Sequence, residues 1–181
     1  AGLVLAIMTS LWLILIGCIA ILAAWFYTGG SRPYGYSGYG EVSVFIFFGL
    51  VATVGSSYVQ SQTIETISML CSVPVGLLAS ALLVVNNFRD IETDSETGKQ
   101  TFAVRLGKAK TKMFFAFLLL ASLGMYVLIA VLYTYLVLIT LVVIPLILKL
   151  ISDIFSKENA QDLINILELS LIHISEPTRL R

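Results

Sequence analysis

Residues 80–94 read Ser-Ala-Leu-Leu-Val-Val-Asn-Asn-Phe-Arg-Asp-Ile-Glu-Thr-Asp, and they join an apolar run to an acidic segment. The apolar run begins near Ile67 and contains no charged residue up to Val85. Its length suffices for a helix that crosses a hydrocarbon core about 30 Å thick. The pattern therefore predicts a membrane helix whose end carries two aspartates and two asparagines.

The composition of the whole chain agrees with a membrane protein. The sequence is 58% hydrophobic and 12% charged, with a mean hydropathy of +0.95, outside the range of soluble globular domains. We expect an all-α fold with five membrane spans near 2–27, 42–59, 67–85, 113–132 and 136–150. The first is not a signal peptide, because it lacks a basic leading region. The chain starts without Met, so we expect it to begin inside a longer protein.

The distribution of basic residues predicts the orientation of these spans. Before residue 169 the chain has nine basic residues. They are Arg32, Arg89, Lys99, Arg105, Lys108, Lys110, Lys112, Lys149 and Lys157. All nine fall on one side, in the 28–41 and 86–112 connections, after 150, or at adjoining helix ends. The opposite connections, 60–66 and 133–135, have none. The positive-inside rule therefore places the 28–41 and 86–112 loops in the cytoplasm.

Three oxygen-bearing side chains at the end of the 67–85 span share a helical register. Asn86, Asp90 and Asp94 are spaced i, i+4 and i+8, so on a helix all three project from one face. Mg²⁺ usually takes one or two carboxylates together with waters and substrate phosphates. We therefore predict a magnesium–diphosphate site at the membrane edge, in which Asp90 and Asp94 bind the metal.

The acidic segment does not fit a calcium-binding loop. Read as an EF-hand that begins at Asp90, the sixth position is Ser95 instead of Gly and the twelfth is Thr101 instead of Glu. Glu92 and Glu96 lie off the aspartate face and are expected to be solvated. Gly98 is placed to end the helix.

Cationic side chains follow the aspartates and can neutralise a diphosphate. The nearest candidates are Arg89, Lys99 and Arg105, whose charges suit phosphate oxygens. We expect Lys108, Lys110 and Lys112 to face anionic lipid headgroups instead. The Gly- and Tyr-rich 28–41 loop matches no phosphate-binding consensus. It is either an interfacial turn with tyrosines at headgroup level or a loop that closes over a substrate.

The last thirteen residues are set apart from the fold. Residues 169–181 include Leu-Ser-Leu-Ile-His-Ile-Ser-Glu-Pro-Thr-Arg, which looks like a translated sequencing adapter. We therefore expect the membrane domain to occupy 1–168 and to continue into a further partial helix. His173 is assigned no catalytic role. Cys18 and Cys71 lie in apolar spans and are expected to act as small packing residues.

The residues around these motifs resemble the UbiA superfamily of intramembrane aromatic prenyltransferases, in particular its dihydroxynaphthoate branch. The resemblance runs from about residue 23 to 167. It rests on Ala-Trp-Phe-Tyr-Thr-Gly-Gly (24–30), Gly-Glu-Val (40–42), Phe-Phe-Gly-Leu-Val-Ala (47–52), Tyr-Val-Gln (58–60) and the 86–107 segment. Asn-Asn-Phe-Arg-Asp-Ile-Glu-Thr-Asp, with Gly-Lys-Gln-Thr (98–101) and Ala-Val-Arg-Leu-Gly (103–107), is specific to that branch.

The resemblance implies a nine-helix bundle of which this sequence holds about helices four to eight. Asp90 and Asp94 would be the second of two Asp-rich motifs, which bind Mg²⁺ and diphosphate, with Asn86 beside them. The first motif and the first three helices are absent from the sequence. The implied partners are a polyprenyl diphosphate, 1,4-dihydroxy-2-naphthoate and the lipid bilayer, in menaquinone synthesis, with no nucleic acid. The fragment alone is expected to be inactive.

Three other functions share part of this sequence pattern. A prenyltransferase for a different aromatic acceptor would keep the same motifs. A transporter typically places its charged residues at mid-bilayer, and these predicted spans have none there. A purely structural subunit does not explain the aspartate register. Tyr58 and Gln60 are either helix-end anchors or acceptor contacts, the latter only if that helix end bends inward.

Overall fold

The structure, a computed structural model, describes residues 2–156, and all regular secondary structure in that range is helical. A π-helical segment, Phe45–Val51, joins α3 to α4, and 3-10 turns lie at Gly35–Ser37 and Tyr135–Val143. The prediction of an all-α fold is confirmed. The α-helices are α1 Gly2–Thr9, α2 Trp12–Thr28, α3 Gly40–Val44, α4 Ala52–Ser61, α5 Thr66–Arg89, α6 Ile91–Glu96, α7 Phe102–Leu132 and α8 Ile144–Ser156.

Four helical stretches among the described residues are long and apolar enough to cross a membrane. They are Gly40–Ser61, Thr66–Arg89, Phe102–Leu132 and Tyr135–Ser156. The first predicted span, 2–27, is instead divided between α1 and α2. The carbonyl of Ser10 accepts the amide of Leu13 at 3.0 Å in a tight turn, so α2 begins only at Trp12.

The core of the first compact unit, which ends at Val142, lies between α5 and α7. Its buried side chains include Ala81, Val84 and Phe88 from α5 and Phe115, Leu118 and Leu119 from α7. Many large apolar side chains on the other helix faces are exposed, as expected for surfaces that meet lipid.

Two glycines allow α5 to approach the π-helical segment closely. A Cβ atom on Gly49 would stand 2.6 Å from the Cα atom of Gly76, which no real side chain tolerates. Small residues at crossings of this kind let membrane helices pack by backbone contact. The crossing fixes the 40–61 helix against α5.

A second unit begins at Val143 and contains α8, in which Ile147 and Ile154 are buried. The boundary predicted between 168 and 169, and with it His173, lies outside the described residues.

Candidate functional site

The helix that carries the aspartates is interrupted at Asp90. This residue has φ −93° and ψ 8° and separates α5 from α6, so the predicted single helix through Asp94 is two helices. The i, i+4 hydrogen bonds nevertheless continue across the junction. The amide of Asp90 donates to the carbonyl of Asn86 at 3.2 Å, and that of Asp94 to the carbonyl of Asp90 at 2.8 Å.

Asp90 is paired with its neighbour in sequence. The Arg89 guanidinium donates from Nε to Oδ1 at 2.6 Å and from a terminal nitrogen to Oδ2 at 2.8 Å. This bidentate pair lowers the pKa of Asp90, with a smaller contribution from the charge of Lys99. Asp90 is therefore ionised at neutral pH and keeps a partly exposed position at the end of α5.

Asp94 is the buried member of the pair of aspartates. Only 9% of its side chain is accessible, and its Oδ1 accepts a hydrogen bond from the Lys99 ammonium at 2.9 Å. The turn after α6 brings this lysine back. Gly98 adopts φ +76°, and its amide donates to Ser95 while the Lys99 amide donates to the Asp94 carbonyl. These two bonds form a Schellman motif, which confirms the predicted helix end at Gly98.

Both aspartates act on the Lys99 ammonium. The hydrogen bond and charge of Asp94 raise the pKa of Lys99, and the more distant charge of Asp90 adds to the effect. One cation thus lies within electrostatic reach of both carboxylates.

The 28–41 loop is ordered and lies directly against the segment after α6. The Gln100 amide donates to the Tyr36 carbonyl at 2.8 Å, and the Lys99 ammonium stands 4.8 Å from the centroid of the Tyr36 ring. Gly38, at φ +82°, packs closely against Arg105, since a Cβ added to it would stand 3.2 Å from Arg105 Nε. The two loops therefore meet at one end of the bundle, as two intervening spans require.

The remaining predicted phosphate-binding residues are placed differently. Arg105 donates from Nε to the Gln100 carbonyl at 3.1 Å, and its described contacts do not reach either aspartate. Asn86 is exposed one turn before Asp90. Lys108, which is predicted to face lipid headgroups, pairs with exposed Glu92 at 2.6 Å, and this contact lowers the pKa of Glu92.

A buried polar network near this end was not anticipated from the sequence. Glu41, which is 6% exposed, accepts a hydrogen bond from Asn87 Nδ2 at 2.9 Å on Oε1. Its carbonyl accepts a bond from Ser80 Oγ at 3.0 Å, and its Oε2 has no described partner. The only sequence feature that indicated this network was an acidic residue at the start of an apolar span. The network ties α3 to α5 directly before the aspartates.

A cavity of about 520 Å³ lies between α2 and the 40–61 helix. Its polar element is the hydrogen bond between Tyr34 Oη and Ser43 Oγ at 3.0 Å, at the end of the 40–61 helix that carries Glu41. The other walls are apolar or aromatic: Ala20, Ala24, Tyr27, Val44, Phe47, Phe48, Val51 and Ala52.

Tyr58 and Gln60 lie near the opposite end of the 40–61 helix from Glu41, as the predicted topology requires. Gln60 is exposed and donates to the Ser56 carbonyl, whereas Tyr58 lines a separate cavity of about 610 Å³. The structure does not bring either residue to the aspartates.

The donor chemistry of the Asp90–Asp94 region suits magnesium bound with a phosphate. Among residues 2–156 no cluster of three or more His, Cys, Asp or Glu side chains is placed to hold a metal alone. Mg²⁺ needs fewer protein ligands, since one or two carboxylates and substrate phosphates satisfy it. Asp90 and Asp94, four residues apart and each paired with a neighbouring cation, fit this requirement.

Comparison with known proteins places this geometry in context. Residues 1–172 match the UbiA prenyltransferase family. The chain is 44% identical over 167 residues to 1,4-dihydroxy-2-naphthoate octaprenyltransferase of Mycobacterium tuberculosis, covering 92% of this chain and 57% of that protein. The Mycobacterium leprae protein of the same name is 42% identical, at 92% and 56%.

A third relative of that name, from Escherichia coli, is 46% identical over 110 residues, 61% of this chain and 36% of its own length. The chain thus spans little more than half the length of the curated relatives it matches most extensively. No solved structure matches it.

Proposed function

Because the chain belongs to the UbiA prenyltransferase family, we propose that it acts in the Mg²⁺-dependent transfer of a polyprenyl group to 1,4-dihydroxy-2-naphthoate, with loss of the carboxylate, in menaquinone synthesis. The donor is a polyprenyl diphosphate. The acceptor follows from the names of the relatives at 42–46% identity. The setting is a bacterial cytoplasmic membrane, with the 28–41 and 86–112 loops on the cytoplasmic side that the basic residues indicate.

The observation that carries the proposal is the position of Asp90 and Asp94. They are four residues apart across the junction of α5 and α6, where Asp90 pairs with Arg89 at 2.6 Å and Asp94 pairs with Lys99 at 2.9 Å. A diphosphate brings several negative charges, so its site needs cations on both sides of the phosphates. Asp90 and Asp94 would hold Mg²⁺, while Lys99, Arg89 and Asn86 would contact phosphate oxygens.

Bound there, Mg²⁺ supplies neutralisation of the diphosphate, which makes it a better leaving group. The chain's own residues orient the donor. The Schellman turn at Gly98 holds the main chain of Asp94, and the Lys99 ammonium holds its carboxylate where it would contact the metal. The C–O bond of the donor breaks, and a ring carbon of the acceptor forms the new C–C bond. The carboxylate on that carbon leaves as carbon dioxide, and its bonding electron pair returns to the ring.

The apolar cavity beside Tyr34 and Ser43 supports this chemistry in a second way. An allylic cation reacts with water, so its site must exclude water. The cavity walls contain Phe47, Phe48 and small aliphatic side chains, and the cavity runs along the 40–61 helix from the end that carries Glu41. We propose that this surface contacts the isoprenoid or the acceptor ring.

The proposal is tested by equilibrium binding of a prenyl thiodiphosphate analogue to the chain in detergent micelles, with and without Mg²⁺. We expect saturable binding that requires Mg²⁺ and is lost in Asp90→Asn and Asp94→Asn. The matched control is Glu92→Gln, which removes an exposed acid from the same helix. Binding that survives both aspartate substitutions contradicts the proposed site.

A further inference from the structure

Asp94 is a buried carboxylate that is paired with the Lys99 ammonium. Its side chain is 9% accessible, and the ammonium of Lys99, 2.9 Å away, is the charge that compensates it. A buried ion without a partner is strongly destabilising, because the desolvation of the charge is not repaid. In the described structure Lys99 neutralises the ionised Asp94, and a metal ion bound to this carboxylate would take over that role.

Mg²⁺ and Lys99 compete for the same carboxylate. A magnesium ligand lies about 2.0–2.1 Å from the metal, so Mg²⁺ on Asp94 would repel an ammonium that stays in hydrogen-bonding contact with the same group. The Lys99 side chain can move away from Asp94. More than a third of its side chain is accessible, and its four-carbon stem is flexible.

We propose that Lys99 is a tethered counter-ion that occupies Asp94 until Mg²⁺ displaces it, and that Tyr36 limits where the released ammonium can move. This inference rests on the proposed function, since it takes Asp94 as the metal ligand. The Tyr36 ring stands 4.8 Å from the ammonium, and the Tyr36 main chain is held by the hydrogen bond that the Gln100 amide donates to its carbonyl. A cation over an aromatic face is held there by the ring quadrupole.

The exchange predicts opposite effects of one substitution on two ligands. In Lys99→Gln the competing cation is gone, so Mn²⁺ alone, measured by electron paramagnetic resonance as a substitute for Mg²⁺, should bind about three- to tenfold more tightly. Binding of the prenyl thiodiphosphate should become weaker, because a phosphate contact is lost. If Lys99 contacts only the phosphates, Lys99→Gln would leave the affinity for Mn²⁺ alone unchanged.

Lys108→Gln is the matched control for this comparison. It removes the same charge from the same region but from the exposed pair with Glu92. We expect it to change Mn²⁺ affinity much less than Lys99→Gln does. Equal gains in the two variants would mean a general effect of net charge and would overturn the exchange.

Thermal unfolding gives a second readout that needs no substrate. Without metal, Lys99→Gln should unfold at a lower temperature than the unaltered chain, because Asp94 is left unpaired. Added Mg²⁺ should then raise the midpoint more in the variant, since a ligand that binds the native state more tightly stabilises it more at the same concentration. A midpoint insensitive to Lys99→Gln contradicts the counter-ion role.

The role of Tyr36 is tested by Tyr36→Leu beside Tyr39→Leu, which replaces an exposed tyrosine of the same loop. We expect Tyr36→Leu alone to raise Mn²⁺ affinity, by less than Lys99→Gln does. If the two variants bind Mn²⁺ with equal affinity, Tyr36 has no part in the proposed exchange. If the unaltered chain binds no Mn²⁺, both the exchange and the proposed metal site fail. If it binds Mn²⁺ through Asp94 and Lys99→Gln gains nothing, only the exchange fails.

Discussion

Replacing Gly98 should weaken binding of the diphosphate, although the substitution changes none of the side chains proposed to bind the metal or the phosphates. Gly98 adopts φ +76°, and a Cβ added there would meet nothing within 4 Å. The effect of Gly98→Ala therefore comes from the backbone alone, about 1–2 kcal/mol for an L-residue in the left-handed region. The turn can relieve this strain only by giving up the bond from the Lys99 amide to the Asp94 carbonyl, which displaces Lys99.

The expected size of the effect follows from that strain. If the turn opens in the free protein, binding of the diphosphate must close it again. The binding free energy then weakens by the same ~1–2 kcal/mol, which lowers the affinity by a factor of about 5–30. The assay is Mg²⁺-dependent binding of the prenyl thiodiphosphate in micelles. Asn tolerates the left-handed region better than Ala, so Gly98→Asn should retain more affinity.

A helical glycine provides the control. Gly124 in α7 has no atom within 4 Å of its hypothetical Cβ and no positive φ, so Gly124→Ala should leave binding unchanged. The reasoning is refuted if Gly98→Ala binds as tightly as the unaltered chain. It is also refuted if Gly98→Asn and Gly98→Ala lose equal affinity.

Two further predictions concern packing and charge. Gly49→Ala places a Cβ 2.6 Å from the Gly76 Cα, so it should lower the unfolding free energy by about 1–3 kcal/mol in a denaturation assay. The control is Gly55→Ala, which has open space around its Cβ and should change the unfolding free energy by less than about 0.5 kcal/mol. Lys108 lowers the pKa of Glu92, so this pair stabilises the fold above the unfolded pKa of Glu92 and the stabilisation is lost as the pH falls through the lower folded pKa. The unfolding midpoint measured against pH should show this acid loss in the unaltered chain and not in Lys108→Gln; identical profiles contradict it.

Most of the membrane fold was predictable because hydropathy is a local property. Four of the five predicted spans correspond to long apolar helices. The break after Thr9 was not predicted, since Thr9 and Ser10 are only a short polar interruption of an apolar run and the turn depends on hydrogen bonds that composition does not reveal. The helix end at Gly98 was predictable because a glycine after an acidic helix has a specific backbone meaning.

The site was predictable only where it depends on spacing. The i, i+4 bonds from Asn86 to Asp94 keep the expected repeat, but the break at Asp90 does not follow from spacing. Contacts between distant segments could not be read from the sequence. The meeting of Tyr36 with Lys99 and the pairing of Glu41 with Asn87 each join residues more than forty positions apart and depend on how helices pack.

The central claim is that Asp90 and Asp94 hold one metal ion jointly, and a double-mutant cycle measures this directly. Mn²⁺ binding is compared in the unaltered chain, Asp90→Asn, Asp94→Asn and the double variant, each in micelles with inorganic pyrophosphate. If both carboxylates hold one ion, either single substitution removes most of the binding and the double variant adds little. Independent, additive losses, or unchanged binding in either single variant, would contradict a shared site.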